Sequence, residues 1–231
     1  MGVVGDAATT AETFLRWREE LDHVAAEWAS TAAPGGADGP VEHGDADAST
    51  VEIDWVVRQL DGLLPRDRTL VYDTGRFWFA AIRALFVPEP RYLVHTFNYA
   101  SIGLGMGTGV GAAVAMPDRT TVVLVGDGGF MLGGLADLAV AARYELDLVV
   151  VVFNDGCYGA EHAQLRGHQL DTGLSLQQWP DIAAVATGLG AASVRWQTRG
   201  DVDAVVDALA RRRGPLLIDV HLDPDRVPLR L

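Results

Sequence analysis

Residues 148–153 read LVVVVF and residues 121–126 read TVVLVG, apolar side chains without the polar alternation of a half-exposed strand. Such runs form strands covered on both faces, which is how parallel sheets are built. Shorter runs of the same kind recur at 69–73 (TLVYD), 92–96 (YLVHT), 192–196 (ASVRW) and 215–221 (PLLIDVH). Helix-like stretches near 77–86, 105–116, 131–144, 178–188 and 202–213 separate them. Strands alternating with helices predict an α/β fold, a doubly wound and mostly parallel sheet with helices on both faces.

This pattern covers residues 50–231. It opens on STVEIDWVVRQLDGLLP, where Ser49 and Glu52 suggest a capping box and Pro65 a stop. Residues 31–49 are small, acidic and rich in Gly and Pro, and predict a linker. Residues 1–30 form a separate piece: ETFLRWREELDHVAAEWA (12–29) has helical apolar spacing, with Thr10 or Asp6 as its cap.

The net charge is −13, and all 18 basic residues are arginine. An acidic chain repels phosphate backbones, which excludes nucleic acid as an expected partner. IGLGMGTGVGAAVAM spans fifteen residues, too few to cross a bilayer, so no membrane association is expected. The start lacks a signal-peptide pattern, and Cys157 is the single cysteine. Both fit a reducing cytoplasm.

Two strands end on oxygen-bearing residues among glycines: Gly126-Asp127-Gly128-Gly129 and Asn154-Asp155-Gly156. Asp73 ends a third. In doubly wound sheets ligands gather at strand carboxyl ends. Glycines let backbone amides approach an anion, and a helix beginning near Met131 would favour negative charge there. Asp127 is itself negative, so a cation must stand between it and any phosphate. Mg2+ meets that need, taking one or two protein oxygens and completing its shell with phosphate and water. Either turn alone is a common tight turn. The pair, with 25 residues between Gly128 and Asn154, leaves room for one helix and one return strand that set the turns side by side.

The stretch GDGGFMLGGLADLAVAARYELDLVVVVFNDG resembles the cofactor motif of thiamine-diphosphate (ThDP) enzymes of the acetolactate synthase and pyruvate decarboxylase type. The resemblance implies Asp127, Asn154 and the Gly156 carbonyl as magnesium ligands, and Gly126, Gly128, Gly129 and Tyr158 as cofactor contacts. VYDTGRFWFAA is similar to a diphosphate-touching loop, which implies Thr74, Gly75 and Arg76. ASIGLGMGTGVGAAVA is similar to the segment that bends the cofactor, implying Met106 as the apolar prop and the Leu104 carbonyl as acceptor for the aminopyrimidine. Residues 1–30 resemble the end of a middle domain.

The family's chemistry also needs a glutamate on a separate pyrimidine-binding domain, and nothing in this sequence resembles that domain. The expectation is therefore half an active site, either a split subunit or an excised fragment. It would assemble as a dimer or hetero-oligomer with a pyrimidine-domain (PYR) partner subunit and act on a small 2-keto acid. Glu161 and His162 follow the metal turn and are candidate catalytic groups. Two rival readings remain. Gly107, Gly109 and Ala112 satisfy the G-x-G-x-x-A fingerprint of a nicotinamide-binding Rossmann oxidoreductase. A degenerate, non-catalytic subunit would keep the fold without turnover.

Overall fold

The computed structural model describes residue 6, residues 8–9, 12–13 and 15–17, and residues 49–96 and 101–226. The chain divides into two compact units, Met1–Asp38 and Gly39–Leu231. In the first, the described residues after Asp6 are helical, and Asp6 Oδ1 accepts the Thr9 N–H at 3.0 Å. The rest of the predicted 12–29 helix and the linker up to residue 48 lie outside the described residues.

The second unit runs α1 (Ile53–Leu63), β1 (Arg68–Tyr72), α2 (Trp78–Ala84), β2 (Leu93–His95), α3 (Gly105–Ala115) and β3 (Thr120–Gly126). Next come α4, continuous from Asp127 to Arg143 with a wide π turn at Phe130–Gly134, and β4 (Leu148–Asn154). The order closes with α5 (Gly159–Gly167), α6 (Ile182–Gly188), β5 (Ala192–Trp196), α7 (Val202–Arg211) and β6 (Leu216–His221). The six strands form one sheet in the order β2-β1-β3-β4-β6-β5, and every pairing is parallel.

The sheet is covered on both faces, as the unbroken apolar runs require. Val122 and Leu124 of β3 face one core with Val56 and Leu60 of α1, Ala81 of α2 and Val205 of α7. Val123 and Val125 face the other with Met106 and Ala112 of α3, Leu138 of α4 and Ile182 of α6. After β1 the chain turns outward to β2, and after β3 it turns the other way to β4. The crevice at the carboxyl ends of β1 and β3 is thus the topological switch point, where such sheets bind ligands.

Three local expectations need correction. Ser49 forms no capping box: α1 begins after Glu52, which makes no side-chain cap and instead accepts Arg199 Nη2 at 3.2 Å. α4 begins at Asp127, not near Met131, because Gly126 is extended and leads straight into the first turn, where an acid suits the helix dipole. α6 begins only after Asp181, whose Oδ1 accepts the Ala184 N–H at 3.0 Å. The residues between α5 and α6 fold back over the β4 turn instead.

α3 also removes the Rossmann reading. Gly107 and Gly109 lie inside the helix rather than in a turn between strand and helix. Gly109 serves close packing, since a Cβ there would lie 2.2 Å from Val123 Cγ2. At Gly111 a Cβ meets nothing within 4 Å. Gly109→Ala is therefore expected to destabilise the fold by about 1–3 kcal/mol. Gly111→Ala, two residues on in the same helix, is expected to stabilise it by up to about 1 kcal/mol. Urea unfolding of the two variants reads both; equal effects would refute the packing assignment.

Candidate cofactor and metal site

β3 and β4 are adjacent and in register with Gly126 opposite Phe153, so the two glycine-flanked turns leave the sheet side by side. The Gly156 backbone N–H, at a turn with φ +64°, is near enough to the Asp127 carboxylate to help lower its pKa. Asp127 is 2% exposed. Its Oδ1 accepts the Gly128 N–H at 2.9 Å and its Oδ2 the Trp179 Nε1–H at 2.8 Å. No cation pairs with it among the described residues. Burial, and then the neighbouring Asp155 charge, push its pKa up to about 7 against the pull of these donors.

Asp155 is paired. Arg76 from the β1 turn donates to its Oδ2 through Nη2 at 2.6 Å and Nε at 3.1 Å, and both side chains are buried. Gly159 makes the space, because a Cβ there would lie 2.4 Å from Arg76 Nε. This bridge ties the β1 turn to the β4 turn across β3.

A cavity opens between the turns, lined by Thr74, Gly75, Asp127, Gly128 and Tyr158 among others. The Thr74 hydroxyl is buried there with no partner among the described residues. A Cβ on Gly128 would strike the Tyr158 ring at 2.8 Å, and one on Gly75 the Phe77 ring at 2.5 Å. The rim is thus kept as bare backbone beside an unused hydroxyl, the surface an anion needs. Among the described residues no three His, Cys, Asp or Glu converge on a metal position. The turns offer one carboxylate, one amide and one carbonyl, with Asn154 and Gly156 lining a second cavity beside Trp179 and Asp219 rather than the first. That set fits a cation sharing its shell with a diphosphate, and an uncompensated buried carboxylate is what such a cation would neutralise.

The family of C-terminal TPP-binding domains of thiamine pyrophosphate enzymes matches residues 73–220, most of the chain. The chain belongs to this family. A putative acetolactate synthase large subunit of Mycobacterium tuberculosis is 26% identical over 74% of the chain and 31% of its own length. A probable pyruvate decarboxylase of Schizosaccharomyces pombe is 30% identical over 74% of the chain and 30% of its own length. Among solved structures, a thiamine diphosphate-dependent 4-hydroxybenzoylformate decarboxylase of Rhodococcus jostii superposes with TM-score 0.70 at 22% identity. That match covers 86% of this chain and 38% of that one. The chain thus spans about a third of the length of the curated relatives it matches.

Within this TPP-binding domain, the structure separates the residues implied by the sequence. Thr74, Gly75, Arg76, Gly126, Asp127, Gly128, Gly129 and Tyr158 all line the cavity. Arg76, however, spends its guanidinium on Asp155. Asp73 is a brace: its oxygens accept from Thr74 N, Thr96 Oγ1 and Gly103 N at 2.9, 3.2 and 2.8 Å. Gly129 must stay bare because a Cβ would lie 2.7 Å from Asp73 Oδ2. The Gly156 carbonyl accepts the Gln177 N–H at 2.8 Å, leaving one lone pair.

Met106 and Leu104 do not fit their implied roles. Met106 is 1% exposed in the core beneath α3. The Leu104 carbonyl is taken up by Thr108, accepting its N–H at 3.2 Å and its hydroxyl at 2.9 Å. The apolar side chain that reaches the cavity from this segment is Ile102.

Glu161 stands at the cavity rim on the first turn of α5, exposed to solvent. His162 points elsewhere. It is buried, with Nδ1 3.0 Å from Ser175 Oγ and Nε2 3.0 Å from Asp225 Oδ1, and it fastens α5 to the flanking loops rather than facing the cavity. Burial pushes the Cys157 thiol up, so Cys157 packs as a neutral side chain.

Sequence reasoning missed Trp179 and Asp155, whose partners lie 52 and 79 residues away. Asp219, an acid inside the apolar run LLIDVH, carried a visible signal: a buried carboxylate in a strand demands a partner.

In metal-free protein the Asp127 pKa has a stability consequence. The folded carboxyl keeps its proton up to about pH 7, whereas an unfolded one releases it near 3.8. Stability should therefore fall as pH rises from about 4 to about 7 and level off above. Asp127→Asn should remove that fall and stabilise the metal-free protein at pH 8 by roughly 1–3 kcal/mol. Melting curves in chelator across this range test it; parallel pH profiles for both proteins would contradict it.

Proposed function

We propose that this chain is the ThDP- and Mg2+-binding subunit of an acetolactate synthase-like 2-keto acid decarboxylase or carboligase. The observation that carries the reading is the pairing of the two turns at adjacent strand ends: a buried carboxylate with no counter-charge among the described residues, beside a bare-backbone cavity with an idle Thr74 hydroxyl. Asp127, Asn154 and the Gly156 carbonyl would hold the cation. Thr74, Gly75, Gly128 and Tyr158 would hold the diphosphate.

When bound, the cofactor supplies a thiazolium ring that accepts the electron pair left when a 2-keto acid loses carbon dioxide. The chain's own residues do the holding. The Arg76–Asp155 bridge keeps two of the three turns at fixed separation, and Trp179 keeps Asp127 from rotating. Ile102 presents an apolar surface at the cavity, and Glu161 stands where a proton can be exchanged with a small 2-keto acid at the mouth.

In this reading a partner subunit supplies the pyrimidine-domain glutamate, in a dimer or hetero-oligomer. Among the described residues no helix is long and apolar enough to cross a membrane. A cytoplasmic location completes the reading, and the single cysteine is in keeping with it.

ThDP with Mg2+ should raise the melting temperature by several degrees, chelator should reverse the rise, and NAD should have no effect. Asp127→Ala should weaken the metal-dependent ThDP affinity at least a hundredfold. Unchanged affinity would refute the clamp. The chain alone should not decarboxylate 2-keto acids, and turnover should appear only with a pyrimidine-domain partner. Turnover without any partner would contradict the division between chains.

A further inference from the structure

Asn154 can present either an oxygen or an NH2 group to a cation, and only the oxygen binds one. Something must choose. On β4, Asn154 follows Val150 and Val152 on the face that packs beneath α4 and α6. On β6, Asp219 follows Leu217 on that same face. The two strands are parallel neighbours, with Val152 opposite Asp219 and Asn154 opposite His221. This register sets Asp219 diagonally below Asn154, and Asp219 Oδ1 accepts the Asn154 Nδ2–H at 2.9 Å.

A carboxylate only accepts, so it takes the NH2 side of the amide and leaves the oxygen on the opposite side. β6 and β3 flank β4 on opposite edges, and Asp127 leaves the end of β3. An amide that turns its NH2 towards β6 leaves its oxygen on the side of β4 where β3 lies, the strand that leads into Asp127. Asp219 is itself held: it is 1% exposed, and its Oδ2 lies 3.1 Å from His221 Nε2, which must be the donor. Arg195 lies opposite Asp219 across the next strand pair and pairs with Asp181.

We infer that Asp219 is a positioning residue for the metal site, fixing Asn154 with Oδ1 aimed at the cation held by Asp127. This rests on the clamp proposed above. Asp219 touches neither cofactor nor substrate. It acts by setting one amide, so its effect should vanish when residue 154 has no NH2 side to misplace.

The test is Mn2+ binding to the full-length chain in the presence of ThDP, measured by the loss of the free-ion electron-spin signal. Asp219→Leu should weaken Mn2+ at least tenfold, and Asp219→Glu should recover most of the loss. In an Asn154→Asp background, where both side-chain atoms are oxygen and the two carboxylates repel, Asp219→Leu should not weaken Mn2+ binding. Melting curves confirm folding, and Asp219→Val replaces the leucine variant should that one fail to fold. An equal loss in both backgrounds would make Asp219 a structural residue and overturn the inference, as would undiminished binding by Asp219→Leu. Failure of the unaltered chain to bind Mn2+ with ThDP would instead bring down the clamp, and this inference with it.

Discussion

A carboxylate at the start of a helix, 2% exposed and without a cationic partner among the described residues, organises this end of the molecule. Burying such a group costs free energy that its hydrogen bonds only partly offset, and the pKa of about 7 records the deficit. The donors that approach Asp127 come from Gly128, Trp179 and Gly156, on three separate stretches of chain. Each is held in place by the demand of one charge. The site is therefore more favourable for a protonated or metal-bound carboxyl than for a bare anion, and the fold tolerates this because its two cores are extensive.

The sheet makes the arrangement possible. Parallel register places the ends of β1, β3 and β4 along one edge, and the reversal of winding between β1 and β3 leaves a crevice there. Strand alternation then directs side chains: Val123, Val125, Val150, Val152 and Leu217 share one face. Polar residues that continue those rows past the apolar stretch face one another. Asn154 and Asp219 meet for that reason. The bridge from Arg76 to Asp155 adds the third turn, so the edge behaves as one braced unit.

Much of this was legible in the sequence, because strand runs and glycine-flanked acids are local patterns. Asp127 and Asn154 could be placed at strand ends by counting, and the ThDP resemblance followed from their spacing. The register within ASIGLGMGTGVGAAVA could not be fixed, since glycine at alternate positions offers no apolar stripe to anchor a helix face. Met106 was accordingly assigned to the cavity when Ile102, in the bend before α3, is the residue that reaches it. The helix GAEHAQLRG escaped notice because it buries little beyond His162 and Ala163. Trp179 and the Arg76–Asp155 bridge join distant stretches, and no local spacing encodes such pairs.

The central claim is that one divalent ion bridges the two turns. A crystal of the chain grown with Mn2+ and ThDP, with the ion located by its anomalous signal, tests it most directly. The account predicts one ion, within about 2.0–2.3 Å of an Asp127 carboxylate oxygen, Asn154 Oδ1 and the Gly156 carbonyl oxygen. An ion bound elsewhere, or turns that separate so that Asp127 and Asn154 share no ion, would contradict it.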